Sequence, residues 1–197
     1  MTAMTATTAE LLARAKDWID RGRIANGDAP MVVATVDASG YPQARWVLLK
    51  DLDASGFVFY TNAKSAKGRE LAASPKTSLA FHWPITGQQL RVTGDVEPAG
   101  DAAADAYWRS RPRESQLAST ASEQSAPLAN KQALVDRVAA LTKQYAGTDI
   151  PRPPHWTGYR VIPQAIEFWT NGEHRLHERE RFVRGKGDAW TGTLLNP

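Results

Sequence analysis

Apolar residues recur at two different periods in the first third of the chain. Over residues 8–24, TAELLARAKDWIDRGRI, the positions Leu11, Leu12, Ala15, Trp18 and Ile19 fall on one stripe at helical spacing. This predicts an amphipathic helix ending near Gly22 or Gly27. From Pro30 the pattern turns to β-rich runs. MVVATVDASGYPQARWVLLKDLDASGFVFYTN carries three of them, separated by DASG at 37–40 and again at 53–56. Small polar connections between β-branched and aromatic runs predict an antiparallel meander. The repeated tetrapeptide is turn chemistry and not a repeat architecture.

Downstream, SAKGRELAASP reads as a short helix stopped before Pro75, followed by strands in TSLAFHW and QQLRVTGDVEP. DAAADAYWRSR is helical until Pro112, which cannot continue a helix. After a polar stretch, NKQALVDRVAALTKQYAG sets Leu134, Val138, Leu141 and Tyr145 on one helical stripe. DIPRPPHWTG is a proline-rich connection, and the C-terminal segment returns to strands with TNG and GKGD as turns. The fold class expected is mainly β with peripheral helices: a small barrel over residues 30–197, preceded by a helical segment over 1–29. No shift in composition marks a second domain.

A chain of 197 residues suits one sizeable core, and 42% hydrophobic with 23% charged residues is ordinary for a soluble globular protein. No apolar run is long enough to span a bilayer, and the first residues lack the basic-then-apolar order of a secretory signal. The absence of cysteine excludes disulfides, thiolate metal sites and cysteine nucleophiles together. A cytoplasmic protein without a membrane partner is the expectation. The net charge of +3 is too mild to imply nucleic acid. Lysines and arginines recur singly among apolar residues, a pattern of discrete anion sites.

Chemistry concentrates first in GEHRLHERERF, residues 172–182, which holds two of the four histidines and three arginines. Turns on both sides predict a strand. Its period of two puts Arg175, His177, Arg179 and Arg181 on one face and His174, Leu176, Glu178 and Glu180 on the other. The two histidines then diverge, so no metal is expected. The Arg175–His177–Arg179 comb is either a solvated edge or a row of donors facing an anion or a polar ring. In ARWVLLK, alternation sends Arg45 and Lys50 to opposite faces: two snorkelling cations, or joint ligands if a bulge intervenes.

In TNAKSAKGREL, Ser65 is a candidate N-cap, and Lys64, Lys67 and Arg69 crowd the positive end of a helix dipole. Cations there lower stability unless an anion binds. Tyr107 and Arg111 lie four apart with Ser115 just past the Pro112 break, a set suited to phosphate or simply a surface arginine cluster. Gln124 and Ser125 add neutral donors and acceptors. Two phosphate sites and a polar face fit a phosphorylated cofactor beside a phosphorylated substrate.

The ordered series RWVLLK, FYTN, SAK, SRPRESQ, EQS, IEFW and RLHER, with the closing Trp190, resembles the pyridoxamine 5'-phosphate oxidase family from about residue 30 to the C-terminus. The resemblance implies an FMN-binding split β-barrel working as a homodimer, with flavin at the subunit interface. It implies FMN contacts at Arg45, Trp46, Val47, Leu48, Lys50, Tyr60, Thr61, Lys67, Gln89, Gln124, Ser125, Trp169 and Arg179. Substrate phosphate would fall to Lys50, Tyr107, Arg111 and Ser115. Arg175 and His177 would act at the catalytic centre by orienting the substrate ring. Such enzymes oxidise pyridoxine or pyridoxamine 5'-phosphate to pyridoxal 5'-phosphate, with oxygen as acceptor and hydrogen peroxide as product.

The sequence departs from the family pattern at several places. Residues 1–29 show no match to the family's substrate-closing arm, and Ala66 stands where a second arginine for the FMN phosphate is frequent. Ala118, Ser119 and Thr120 replace a Gly-Ala-Trp, and Leu194 replaces an arginine. HWPITGQQ and FWTNGEHRLHER also resemble phenazine-biosynthesis flavin oxidases, which act on reduced tricyclic aromatics. Retention of Lys50, Tyr107, Arg111 and Ser115 favours the phosphorylated pyridine. A non-catalytic flavin-binding barrel and a basic RNA-binding barrel are the other classes weighed.

Overall fold

The computed structural model of the chain describes residues 4–197, the side chains of residues 25 and 26 excepted. In chain order the elements are β1 (Met4–Ala6), α1 (Thr8–Asn26), β2 (Pro30–Val36), β3 (Pro42–Leu48), β4 (Asp51–Asp53), β5 (Gly56–Asn62) and α2 (Ala66–Ala73). There follow β6 (Lys76–Trp83), β7 (Gln88–Pro98), α3 (Asp101–Ser110), α4 (Arg113–Ala121) and α5 (Lys131–Gln144). The chain closes with β8 (Trp156–Thr170), a 3-10 turn (Glu173–Arg175), β9 (Glu178–Arg184) and β10 (Trp190–Leu194). The strands join into one antiparallel sheet in the order β1-β10-β9-β8-β7-β6-β2-β3, with β5 pairing β8 and β4 beyond it.

The sheet curls because β8 changes partners along its length: β5 pairs its first residues, β9 its last, and β7 runs alongside both. The β7–β8 register slips between Thr93 and Gly94, a bulge that bends the pair. Only glycine fits there, since a Cβ on Gly94 would sit 2.2 Å from the Ile162 carbonyl oxygen. Inward residues of the curled sheet (Met31, Val33, Phe57, Phe59, Phe81, Leu90, Ile166 and Phe168 among them) form the main core. The stripe of α1 closes that core as expected: Leu11, Leu12, Ala15, Trp18 and Ile19 are all buried in it. Thr7 and Glu10 form a reciprocal capping box at the start of α1, and left-handed Gly27 ends it. A second core, of Ala104, Trp108, Leu117, Ile150 and Trp156, ties α3 and α4 to the start of β8.

Three expectations need correction. The meander is two separate hairpins, because ARWVLLKDLD breaks at Leu49 and Lys50. Leu49 N–H donates to Ala29 O and Lys50 N–H to Val58 O, so the chain leaves β2 for β5 while Leu49 drops into the core. The polar stretch after Pro112 is the helix α4. Pro112 opens it, its carbonyl accepting from Ser115 and Gln116, a position where the missing N–H costs nothing. GEHRLHERERF, finally, is a strand only from Glu178. Both DASG turns form as expected, with Asp37 Oδ1 accepting from the N–H of Ser39 and Tyr41, and Asp53 Oδ1 from those of Ser55 and Gly56. No helix among the described residues is long and apolar enough to cross a membrane.

Candidate functional site

Three aromatic rings from three elements build the floor of a cleft. Tyr60 of β5 stacks on Tyr107 of α3, with centroids 4.3 Å apart and planes 24° apart, and on Trp156 of β8 at 5.2 Å and 7°. Trp108 meets Trp156 edge-on at 5.0 Å, and its Nε1–H donates to Ile150 O at 2.8 Å. The stack locks α3 to the barrel and holds Arg111, just past its end, over Trp156 and Trp108 at 5.1 and 5.4 Å. The cleft above has a volume of about 540 Å³, within the range of small-molecule sites. Its walls bring together Trp46, Val47, Leu48, Lys50, Tyr60, Thr61, Lys67, Gln124, Tyr107, Arg111 and Ser115. Three sequence segments read separately as anion sites therefore meet in one place.

Lys50, Lys67 and Arg111 line this cleft without a single carboxylate among its lining residues. Lys67 is only 7% exposed, and its Nζ donates to Thr61 Oγ1 at 3.2 Å and Ser65 Oγ at 3.5 Å. Burial pushes its pKa below the ordinary lysine range; neighbouring Arg45 adds to the shift and Glu70 opposes it. Burial likewise lowers the pKa of Arg111, opposed by Tyr107, and raises that of the Tyr60 phenol. Lys50 reaches Asp28 at 3.9 Å, a partner whose side chain is 61% exposed, so the pairing is weak. Cations buried without counter-charge are costly, and an anion in the cleft removes that cost.

The expected trio at the start of α2 is split. Ser65 caps the helix, its Oγ accepting from Gly68 N–H at 3.3 Å. Lys67 alone of the trio enters the cleft, while Arg69 donates to the Lys64 carbonyl. Lys64 lines a neighbouring cavity of about 690 Å³ with Arg137, His155 and Glu123. That cavity is the larger, but Glu123 pairs with Arg137 at 3.7 Å and offsets its charge, so the cleft is the better anion site.

The remaining expected residues lie elsewhere. Arg45 is held outside the cleft walls by Glu70 at 3.0 Å, by Thr35 Oγ1 and by Val33 O at 3.4 Å. Ser125, at φ 72°, follows Gln124 in the loop after α4; the Oε1 of Gln124 accepts from Thr61 Oγ1 at 3.0 Å. Gln89, Trp169 and Arg179 form a row across β7, β8 and β9 as direct register partners. The His177 ring lies 4.6 Å from that of Trp169, and its Nδ1 accepts from Gly172 N–H at 3.2 Å. Arg179 is paired with Glu167 at 2.8 Å and also donates to Asn196 O. None of this row lines the cleft. Trp156 and Trp169 mark the two ends of the 15-residue β8, roughly 40 Å apart along an extended strand.

The comb on one strand face is corrected here. His174 and Arg175 have left-handed φ of 53° and 67° in the 3-10 turn, so strand alternation does not place them. Gly172 forces the turn: a Cβ there would lie 1.9 Å from the Leu176 carbonyl oxygen. Arg175 and Leu176 are exposed as a result, and the face assignment holds only within β9, with Arg179 and Arg181 on one face and Glu178 and Glu180 on the other. Non-glycine residues held at positive φ cost about 1 kcal/mol or more each and concentrate at functional sites. Sequence reasoning missed Trp156, and it marked Ser119 only as a departure from the family pattern, without its contact to Arg111. The proline-rich lead into a tryptophan was a usable signal for the first, and the replaced Gly-Ala-Trp for the second.

Residues 24–145 match the family model described as pyridoxamine 5'-phosphate oxidase, and residues 156–197 match the pyridoxine 5'-phosphate oxidase C-terminal dimerisation region. A pyridoxine/pyridoxamine 5'-phosphate oxidase of Caulobacter vibrioides is 50% identical over 183 residues, covering 92% of this chain and 82% of its own. Among solved structures, PhzG from Burkholderia lata 383, in complex with tetrahydrophenazine-1-carboxylic acid, superposes with a TM-score of 0.88 at 32% identity, covering 94% of this chain and 92% of that one. A pyridoxamine 5'-phosphate oxidase-related, FMN-binding protein of Nostoc punctiforme shares the fold, with a TM-score of 0.74 at 18% identity over 94% of this chain and 96% of that one.

Proposed function

Because the chain belongs to the pyridoxamine 5'-phosphate oxidase family, we propose that it is an FMN-dependent oxidase converting pyridoxine or pyridoxamine 5'-phosphate to pyridoxal 5'-phosphate, with oxygen as acceptor and hydrogen peroxide as product. The observation that carries this reading is the carboxylate-free cleft in which Lys50, Tyr107, Arg111 and Ser115 converge. Their donors suit a phosphate: two cations, a phenol and a hydroxyl around one space.

The residues present also fit FMN. Lys67 is a buried cation beside Thr61, and Trp46, Val47 and Leu48 give an apolar wall whose tryptophan is 66% exposed. Lys67 with Thr61 would hold the cofactor's phosphate, and Gln124 would meet its polar edges. When bound, FMN supplies the two-electron acceptor that oxygen regenerates. The chain's own task is then to fix the substrate phosphate at one end of the cleft and hold the reacting carbon in place, which lowers the entropic part of the barrier.

Arg175, His177, Gln89, Trp169 and Arg179 belong to the same reading only if a second protomer supplies them. The relatives' dimerisation region spans residues 156–197 and contains four of those five residues. Exposed apolar side chains at Trp46 (66%), Leu176 (72%) and Leu194 (61%) also suit a homodimer whose clefts are completed across the interface. In that arrangement Arg175 and His177 orient the substrate ring, and Arg179 faces the flavin.

A second reading, oxidation of a reduced phenazine-like aromatic, is favoured by the likeness to PhzG. The purified protein's visible spectrum and released flavin test the cofactor: a colourless protein that FMN does not reconstitute would sink the proposal. Peroxide release from pyridoxine 5'-phosphate, pyridoxamine 5'-phosphate and a dihydrophenazine then separates the substrates. Arg111→Ala is expected to raise KM for the phosphorylated substrates roughly 10- to 100-fold, the scale of one charge-assisted hydrogen bond, with FMN still bound. An unchanged KM would favour the phenazine reading.

A further inference from the structure

We infer that Ser119 is the positioning residue of the phosphate site: its hydroxyl accepts a hydrogen bond from Arg111, orients it and so sets the affinity for phosphorylated substrate. This deepens the proposed function and rests on it. Arg111 is half-buried and has no carboxylate in ion-pair range among the described residues. Its Cζ lies over the two tryptophan rings, 5.1 Å from the centroid of Trp156 and 5.4 Å from that of Trp108. Cation–π attraction holds the charge over the rings but does not by itself choose which N–H groups point into the cleft. The contact that orients them is the hydrogen bond from Nη1 to Ser119 Oγ, at 2.9 Å.

That contact lies in a cavity that adjoins the cleft and shares six of its lining residues. Arg111 lines both the cleft and this adjoining cavity of about 430 Å³, whereas Ser119 lines only the adjoining one. Ser119 is not among the residues lining the cleft, and its link to the cleft is the hydrogen bond from Arg111. Ser115 and Ser119 lie one turn apart on α4, so they share a helix face, Ser115 lining both cavities and Ser119 the adjoining one. Of the other neighbours of the adjoining cavity on this side, Ala118 has no side-chain acceptor, and the hydrogen bond from Arg111 goes to Ser119 and not to Ser122. The Ser119 hydroxyl thus orients the N–H groups of Arg111, the one arginine among the described residues that line the cleft.

The test uses FMN-loaded protein in four forms: wild type, Ser119→Ala, Ser119→Thr and Arg111→Ala. Two quantities are measured for each, the dissociation constant of inorganic phosphate by calorimetry and the steady-state constants for pyridoxine 5'-phosphate. Ser119→Ala is expected to weaken phosphate binding and raise KM roughly three- to tenfold, the span of one hydrogen bond, with kcat and FMN content unchanged. Alanine is a good helix former, so α4 survives the change. Ser119→Thr keeps the hydroxyl and is expected to stay near wild type.

Phosphate binding by Ser119→Ala within twofold of wild type overturns the inference, as does a loss in Ser119→Thr as large as that in Ser119→Ala. If Arg111→Ala binds phosphate as wild type does, the reading of the cleft itself fails and the inference goes with it. If Arg111→Ala weakens binding and Ser119→Ala does not, only the role of Ser119 fails.

Discussion

Lys67 concentrates the electrostatics of the cleft in one amine. Its burial disfavours the charged form, while the proposed cofactor phosphate demands it. The protonated amine is the anion-binding form, so affinity is full below its lowered pKa and falls as pH rises through it. FMN binding is therefore expected to weaken on the alkaline side, beginning below the ordinary lysine value of 10.5. Lys67→Arg, which keeps its charge at any relevant pH, is expected to flatten that limb. Titration of flavin fluorescence against pH checks both; an alkaline limb that is identical in Lys67→Arg would assign it to another group. Sequence alone flagged Lys64, Lys67 and Arg69 as a set. It could not separate them, because a difference of two or three positions at a helix start decides whether a side chain is buried or wraps back on the backbone.

At the scale of elements, the turn before β9 does the placing that a strand was expected to do. Gly172 brings the chain back onto the Leu176 carbonyl and donates to His177 Nδ1, so the imidazole is aimed by a backbone N–H. Because Gly172 has an ordinary φ of −121°, its requirement is steric and not conformational. Gly172→Ala is expected to destabilise the fold by about 2 kcal/mol, a typical cost for a forced backbone shift, read by chemical denaturation. It is also expected to lower kcat/KM by displacing His177, while FMN stays bound in the cleft half. Equal stability in the variant would mean that the turn opens without cost. The TNG signal correctly marked a turn; its span could not be read, since alternating charges continue through Arg175 and His177 as they would in a strand.

Across the whole molecule, the expected site residues fall into two clusters at opposite ends of β8. A homodimer that joins one cluster of each protomer predicts complementation between variants damaged in different clusters. Arg111→Ala and His177→Ala, each impaired alone, are expected to regain activity when unfolded together and refolded as a mixture. Half of the dimers would be mixed, and one of their two sites would be intact, giving about a quarter of wild-type activity. Activity of the mixture equal to the mean of the two variants would place both clusters in the same protomer's site.

The sequence by itself determined what depends on local pattern: the α1 stripe, the α2 cap at Ser65, the DASG turns, the mainly β class and the ordered motifs that mark the family. Period and turn chemistry are properties of a few neighbouring residues, so they are written in the chain. Tertiary structure decided the partner switch at Leu49 and Lys50, the stacking of Tyr60, Tyr107 and Trp156, and the hydrogen bond from Arg111 to Ser119. It also withheld Arg45 from the cleft by pairing it with Glu70, 25 residues away. Each of these depends on which distant segments the curled sheet brings within a few ångströms, and that is fixed by burial of the whole core.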